Sequence, residues 1–177
     1  MTRRHPCLWL MTDERLGDAL FPAITALPRG AGIVFRHYTL AAGERRALFE
    51  RVRRIARRKG LVLVLAGPPS LARAWRADGF HGRERGGGNL IHTAPAHNAA
   101  ELARAARNGA DLIFVSPVHA TRSHPGAAAL GPARFAALLR RAARPVIALG
   151  GMDPRRARAT KRLGAYGWGA IDGLTPR

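Results

Sequence analysis

Two consecutive glycines, Gly150-Gly151, stand just before an Asp153-Pro154 helix start. Residues without side chains let the backbone approach an anion closely, and amide N–H groups at a helix N-terminus can then hold it. Phosphate binding is therefore the first chemistry this chain suggests. A second glycine run, Gly86-Gly87-Gly88, lacks the Lys-Ser/Thr ending of a nucleotide loop and precedes a strand, so it reads as a flexible connection. Among the histidines, His37 and His119 follow predicted strands and are expected at one mouth, where an imidazole can move protons near neutral pH. His92 and His97 have a spacing that could suggest metal, but no third ligand lies nearby in sequence, so packed or loop histidines are the expectation. His5 and His81 carry no motif. The single cysteine, Cys7, excludes an internal disulfide.

The elements that must position these residues alternate in kind. Apolar runs read as buried strands at Leu8–Met11, Gly32–Phe35, Leu61–Leu65, Asn89–His92, Asp111–Val115 and Pro145–Leu149, with weaker strands at Gly79-Phe80 and Tyr166–Ala170. Segments with helical spacing lie between most of them. Asn98 with Glu101 forms a capping-box variant, and Asn108-Gly109 stops that helix. Asp153 is an N-cap before Pro154, and Gly164 closes the element. Gly131-Pro132 opens another helix, with Phe135, Leu138 and Leu139 on its inner face. Strands apolar on both faces, alternating with helices, imply a parallel sheet covered by helices. Eight strands allow closure into one compact (β/α)8 barrel over residues 1–177. At 177 residues its connections must be short, because such barrels typically run to about 250 residues. An open doubly wound sheet is the alternative, although no Gly-x-Gly-x-x-Gly follows the first strand.

Thirty Lys and Arg residues against eleven Asp and Glu give a formal charge of +19. That balance attracts phosphates, anionic lipid or nucleic acid. The densest block, Arg45 to Lys59, carries Leu48, Val52 and Ile55 at helical spacing, so most of its arginines read as the solvated face of an amphipathic helix. Few aromatics accompany them, and nucleic-acid binding ranks last among the readings. The apolar run Cys7–Met11 is too short for a signal peptide, and no segment reaches the roughly 20 apolar residues of a membrane span. The chain reads as soluble and cytoplasmic.

Several segments together resemble the thiamine phosphate synthase/TenI family: LWLMTD (Leu8–Asp13), RADGFHG (Arg76–Gly82), NGADLIFVSPVHATRSHPGAAALG (Asn108–Gly131), ARPVIALGGMDP (Ala143–Pro154) and GAYGWGAIDGL (Gly164–Leu174). They follow the family's order over nearly the whole chain. The resemblance implies a TIM barrel that binds phosphorylated small molecules, with Gly150 and Gly151 on a thiazole phosphate. It implies either the joining of hydroxymethylpyrimidine pyrophosphate to thiazole phosphate or TenI-like isomerisation of the thiazole. A regulator that keeps only the phosphate-ligand site is the non-catalytic alternative.

Residue by residue, the resemblance matches Arg36 to an arginine on the pyrophosphate, and Thr121 and Ser123 to two hydroxyls contacting the same group. The lysine that follows is His124 here. Val34 replaces a glutamine and Tyr38 a lysine beside Arg36. Ala66-Gly67 replaces an Asn-Asp pair, so Mg²⁺ is implied by the family while its ligands are not evident; Glu84 would substitute only with a shifted loop. The TenI histidine falls on Pro117, which leaves His119 as the nearby proton carrier. The expected pattern is a retained thiazole-phosphate end and a depleted Mg²⁺–pyrophosphate end.

Overall fold

Eight short parallel strands close on themselves in chain order in the computed structural model, which describes residues 5–121 and 128–175. They are β1 (Leu8–Met11), β2 (Gly32–Phe35), β3 (Val62–Ala66), β4 (Gly79–His81), β5 (Ile91–Ala96), β6 (Leu112–Val115), β7 (Val146–Ala148) and β8 (Gly167–Ala170). Pairing of β1 with β8 completes the ring, with Trp9 opposite Gly169 and Gly32. The α-helices are α1 (Leu20–Ala26), α2 (Ala42–Lys59), α3 (Pro69–Ala74), α4 (Ala99–Arg107), α5 (Gly131–Arg140) and α6 (Pro154–Arg162). The closed barrel expected from alternation is present, and the open sheet is not.

Alternation along each strand sorts side chains to the lumen or to the helices. Trp9 and Phe114 meet edge to face inside the barrel at 5.5 Å, on strands far apart in the ring. The indole fits because its neighbours are glycines. A Cβ on Gly32 would fall 2.3 Å from the Trp9 ring, and one on Gly169 would touch the Trp9 backbone and Cβ at 3.2–3.4 Å. The floor of the lumen is thus a packed plug, and usable space lies above it, at the C-terminal strand ends.

Helix ends follow their local chemistry. The Asn98 side chain accepts from Glu101 N at 2.9 Å, while Glu101 accepts from His97 N at 3.0 Å. Asp153 accepts from Arg156 N at 2.9 Å with Pro154 in the first turn. In α2 the fully buried residues are Phe49, Val52 and Ala56, with Leu48 and Ile55 flanking them half-buried. The apolar stripe is therefore rotated slightly from the Leu48–Val52–Ile55 expectation.

Two other expectations are corrected. The fifth strand begins at Ile91 and runs through Pro95 to Ala96, not Asn89–His92; Pro95 sits within the ladder opposite Phe114, a place where proline normally argues against a strand. Residues 82–90 join β4 to β5 without a helix. Within that connection Gly87 packs on Phe80, whose ring a Cβ would approach to 2.6 Å, and Phe80 stacks on His92 at 4.2 Å. Gly87 alone of the glycine run is buried, packed on the outside of β4, while Gly86 and Gly88 are exposed; the short, helix-free connection is one reason this barrel needs so few residues.

Candidate active site at the barrel mouth

A cleft of about 520 Å³, counting its open mouth, lies over the C-terminal ends of the strands. Met11 and Leu149 form its apolar side. Arg36, Ser116, Thr121, Gly150, Gly151 and Asp172 bring polar groups into it. Its size suits a small organic ligand. Arg36, Thr121, Gly150 and Gly151, distant in sequence, meet here. Ser123 and His124 lie outside the described residues.

The glycine turn has a demonstrable need for glycine. Gly150 and Gly151 adopt φ of +89° and +61°, and a Cβ on Gly150 would come within 2.7 Å of Pro117 Cα. On Gly151 it would come within 2.4 Å of Ala120 O and 2.9 Å of His119 Cβ. The turn after β7 therefore presses directly on the loop after β6. His119 N donates to Gly150 O at 3.1 Å and Val118 N to Leu149 O at 2.9 Å, which lock the two loops together. Asp153 turns back to cap α6, and Arg156 donates to Gly151 O, so that carbonyl is engaged away from the cleft.

Arg36 is anchored rather than loose. Its Nε donates to Thr12 O at 2.8 Å and its Nη2 meets Asp13 Oδ2 at 2.5 Å, while Arg15 takes the other Asp13 oxygen at 2.8 Å. Burial acts to raise the Asp13 carboxyl, but hydrogen bonds from Arg15 and the charge of Arg36 outweigh it and hold the group below its ordinary range. The guanidinium is thus pre-aimed at the cleft with part of its charge already balanced.

The histidines separate by role. His37, at φ +43°, is buried, bonds Thr12 Oγ1 through Nδ1 at 3.0 Å and stacks on Phe35, an outward residue of β2. It faces the helix layer, and His119 backs onto Gly151 from outside the cleft, so the expectation that both share one mouth is not met. Burial, then the neighbouring Arg156, lowers the pKa of His119. His92 is packed on Phe80 with Nε2 against Gly82 O at 3.1 Å. His97 bonds Ser116 O at 2.7 Å. No group of three or more His, Cys, Asp or Glu side chains placed to hold a metal occurs among the described residues.

Two mouth residues were missed in the sequence. Arg45 reaches from α2 over the strand ends, donating to Arg36 O at 2.9 Å and Ala66 O at 2.8 Å, with Tyr38 and Trp75 beside its guanidinium. A signal existed: Arg45, Phe49, Val52 and Ala56 share one helical stripe. His81 closes β4 on the lumen side, where its ring meets Phe114 edge to face at 5.4 Å. Alternation from Gly79 would have pointed it inward had the strand been extended by one residue.

Comparison with known proteins bears on the chain as a whole. The family model described as thiamine monophosphate synthase matches residues 8–174. A thiamine-phosphate synthase of Chloroflexus aurantiacus is 30% identical over 94% of this chain and 84% of that protein. One of Alcanivorax borkumensis is 28% identical with the same coverage. Among solved structures, a thiamine phosphate pyrophosphorylase from Pyrococcus furiosus superposes with a TM-score of 0.77 at 21% identity, over 93% of this chain and 85% of its own. FabK from Thermotoga maritima shares the fold at a TM-score of 0.68 and 17% identity, over 96% of this chain and 58% of its own. No helix among the described residues is long and apolar enough to cross a membrane. With the match running from the first strand to the turn beyond the eighth, this chain belongs to the thiamine monophosphate synthase family.

Proposed function

We propose that the chain binds thiazole phosphate at the Gly150-Gly151 turn and joins it to hydroxymethylpyrimidine pyrophosphate, as a thiamine phosphate synthase whose pyrophosphate end is held without the usual metal ligands. The observation that carries this reading is the convergence of Gly150, Gly151, Arg36 and Thr121 on one cleft. In the reaction a C–N bond forms between the thiazole nitrogen and the pyrimidine methylene, the C–O bond to pyrophosphate breaks, and positive charge builds on the methylene. Backbone amides of the glycine turn suit the thiazole phosphate. Arg36 and Thr121, with Ser123 and His124, suit the departing pyrophosphate.

The Mg²⁺ implied by the family does not fit the residues present. Ala66 and Gly67 stand where a carboxylamide and a carboxylate would be needed, and the Ala66 carbonyl already accepts from Arg45. That guanidinium brings fixed positive charge to the ends of β2 and β3. Isomerisation of the thiazole through His119 is the weaker reading, because His119 stands behind the glycine turn.

Thermal-shift titration with thiazole phosphate tests the binding half, and a condensation assay with and without Mg²⁺ tests the rest. Stabilisation by thiazole phosphate and slow condensation with weak Mg²⁺ dependence are expected. No stabilisation by any phosphorylated ligand would overturn the reading.

A further inference from the structure

The ladder between β1 and β2 is diverted just past its last paired residues, Met11 and Val34. Thr12 N donates to Val34 O at 2.9 Å. In a regular parallel ladder the next bond runs from Arg36 N to Thr12 O. Here Arg36 N donates instead to Thr12 Oγ1 at 3.0 Å. The Thr12 carbonyl is thereby released, and Arg36 Nε takes it at 2.8 Å. With Nη2 on Asp13, one edge of the guanidinium is engaged by the protein. The end-on edge, from Nη1 to Nη2, is left for an anion in the cleft that Arg36 lines.

The hydroxyl that replaces the backbone acceptor is itself held. Thr12 is fully buried, so its proton needs an acceptor within the protein. Oγ1 already accepts from Arg36 N, and its other neighbour is His37 Nδ1 at 3.0 Å. The proton therefore goes to Nδ1, which fixes the imidazole as the neutral form protonated on Nε2. His37 reaches this pose at φ +43°, an uncommon backbone for a residue with a side chain, and stacks on Phe35 at 4.9 Å. Burial, which outweighs the carboxylates of Glu14 and Asp13, lowers its pKa, and the charges of Arg36 and Arg45 act in the same direction. The neutral form is the one present at pH 7.

We propose that Thr12 and His37 are a positioning pair for Arg36. His37 orients the Thr12 hydroxyl, and the hydroxyl takes the backbone bond that would otherwise occupy the carbonyl anchoring the guanidinium. Neither residue touches the substrate. This rests on the synthase reading, through the contact of Arg36 with pyrophosphate. Without the hydroxyl, Arg36 N falls back on Thr12 O, Nε loses its acceptor, and the fork no longer has one fixed pose. A guanidinium already held in place gives up less freedom on binding. The pair therefore acts on affinity for the anion and on the step in which pyrophosphate gains charge.

The test titrates inorganic pyrophosphate and, separately, thiazole phosphate calorimetrically into the intact chain. Thr12→Val removes the hydroxyl at constant shape, and His37→Phe removes the acceptor but keeps a ring to stack on Phe35. Both are expected to weaken pyrophosphate binding about tenfold. Both should hold thiazole phosphate within about twofold of wild type, which reports the fold and the glycine turn. Thr12→Ser, and His37→Asn, whose amide oxygen stands in for Nδ1, should recover most of the loss. Thr12→Val combined with His37→Phe should cost no more than either alone, and in an Arg36→Ala background Thr12→Val should have no further effect. In turnover, Thr12→Val and His37→Phe should lower kcat and raise the KM for the pyrimidine pyrophosphate, with the thiazole phosphate KM unchanged. Pyrophosphate affinity unchanged in both variants, or thiazole phosphate weakened in parallel, overturns the proposal. If Arg36→Ala loses pyrophosphate while Thr12→Val and His37→Phe keep it, this proposal fails alone; if Arg36→Ala binds pyrophosphate as wild type does, the role given to Arg36 in the synthase reading fails with it.

Discussion

At the scale of single residues, the site depends on groups whose freedom has been removed. Gly151 illustrates the cost of adding one atom. At φ +61° an alanine pays about 1–2 kcal/mol for the left-handed backbone, before its Cβ meets Ala120 O at 2.4 Å. Gly151→Ala is expected to lower stability by about 2–3 kcal/mol and to abolish stabilisation by thiazole phosphate; urea denaturation with and without ligand would show both. His81 gives a pH prediction. The unfolded imidazole takes up a proton below about 6.5, while the folded one resists until about 3. The unfolded state therefore binds more protons across that window, and stability falls as pH drops from 6.5 toward 3. His37 and His119 are shifted the same way. The melting temperature should decline with acid across this range, and the slope should flatten in His81→Asn; identical slopes would contradict the assignment.

At the scale of elements, α2 does more than cover the barrel. Its first turn sends Arg45 across the ends of β2 and β3, where two carbonyls accept from one guanidinium. Farther along, Arg46 and Arg53 pair with Glu50 on the partly exposed face, and Arg54 is exposed. Arg45→Ala is expected to cost about 2 kcal/mol, because it removes two charged hydrogen bonds and leaves a half-buried gap beside Tyr38 and Trp75. Arg54→Ala should stay within about 0.5 kcal/mol. Equal losses in thermal denaturation would mean that the basic helix acts through diffuse charge alone. The α4 and α6 caps were readable in advance because Asn98 and Asp153 act within their own helix turns, and local rules suffice there.

At the scale of the whole molecule, the floor of the lumen is filled by the Trp9 indole, set between Gly32 and Gly169 and edge-on to Phe114. Gly32→Ala places a methyl 2.3 Å from the Trp9 ring and is expected to destabilise by about 3 kcal/mol. Adding Trp9→Phe should recover part of that loss, because the smaller ring vacates the same space; full additivity in denaturant melts would disprove the coupling. Packing of this kind ties β1 to β2, β8 and β6 at once, so the mouth above it rests on a rigid base.

Strand and helix order, the helix caps and the glycine turn were legible in the amino-acid sequence, because each is set by neighbours a few residues away or by a repeating apolar period. Closure of the ring makes distant residues adjacent, and those adjacencies were decided by the tertiary structure alone. It put Arg36 against Asp13, turned His37 to the outside while His81 faces the lumen, ran β5 through Pro95, and laid Arg45 over Ala66. The physical reason is that a side chain's direction depends on strand register, and its charge and tautomer depend on partners tens of residues away. Neither is written in the local pattern.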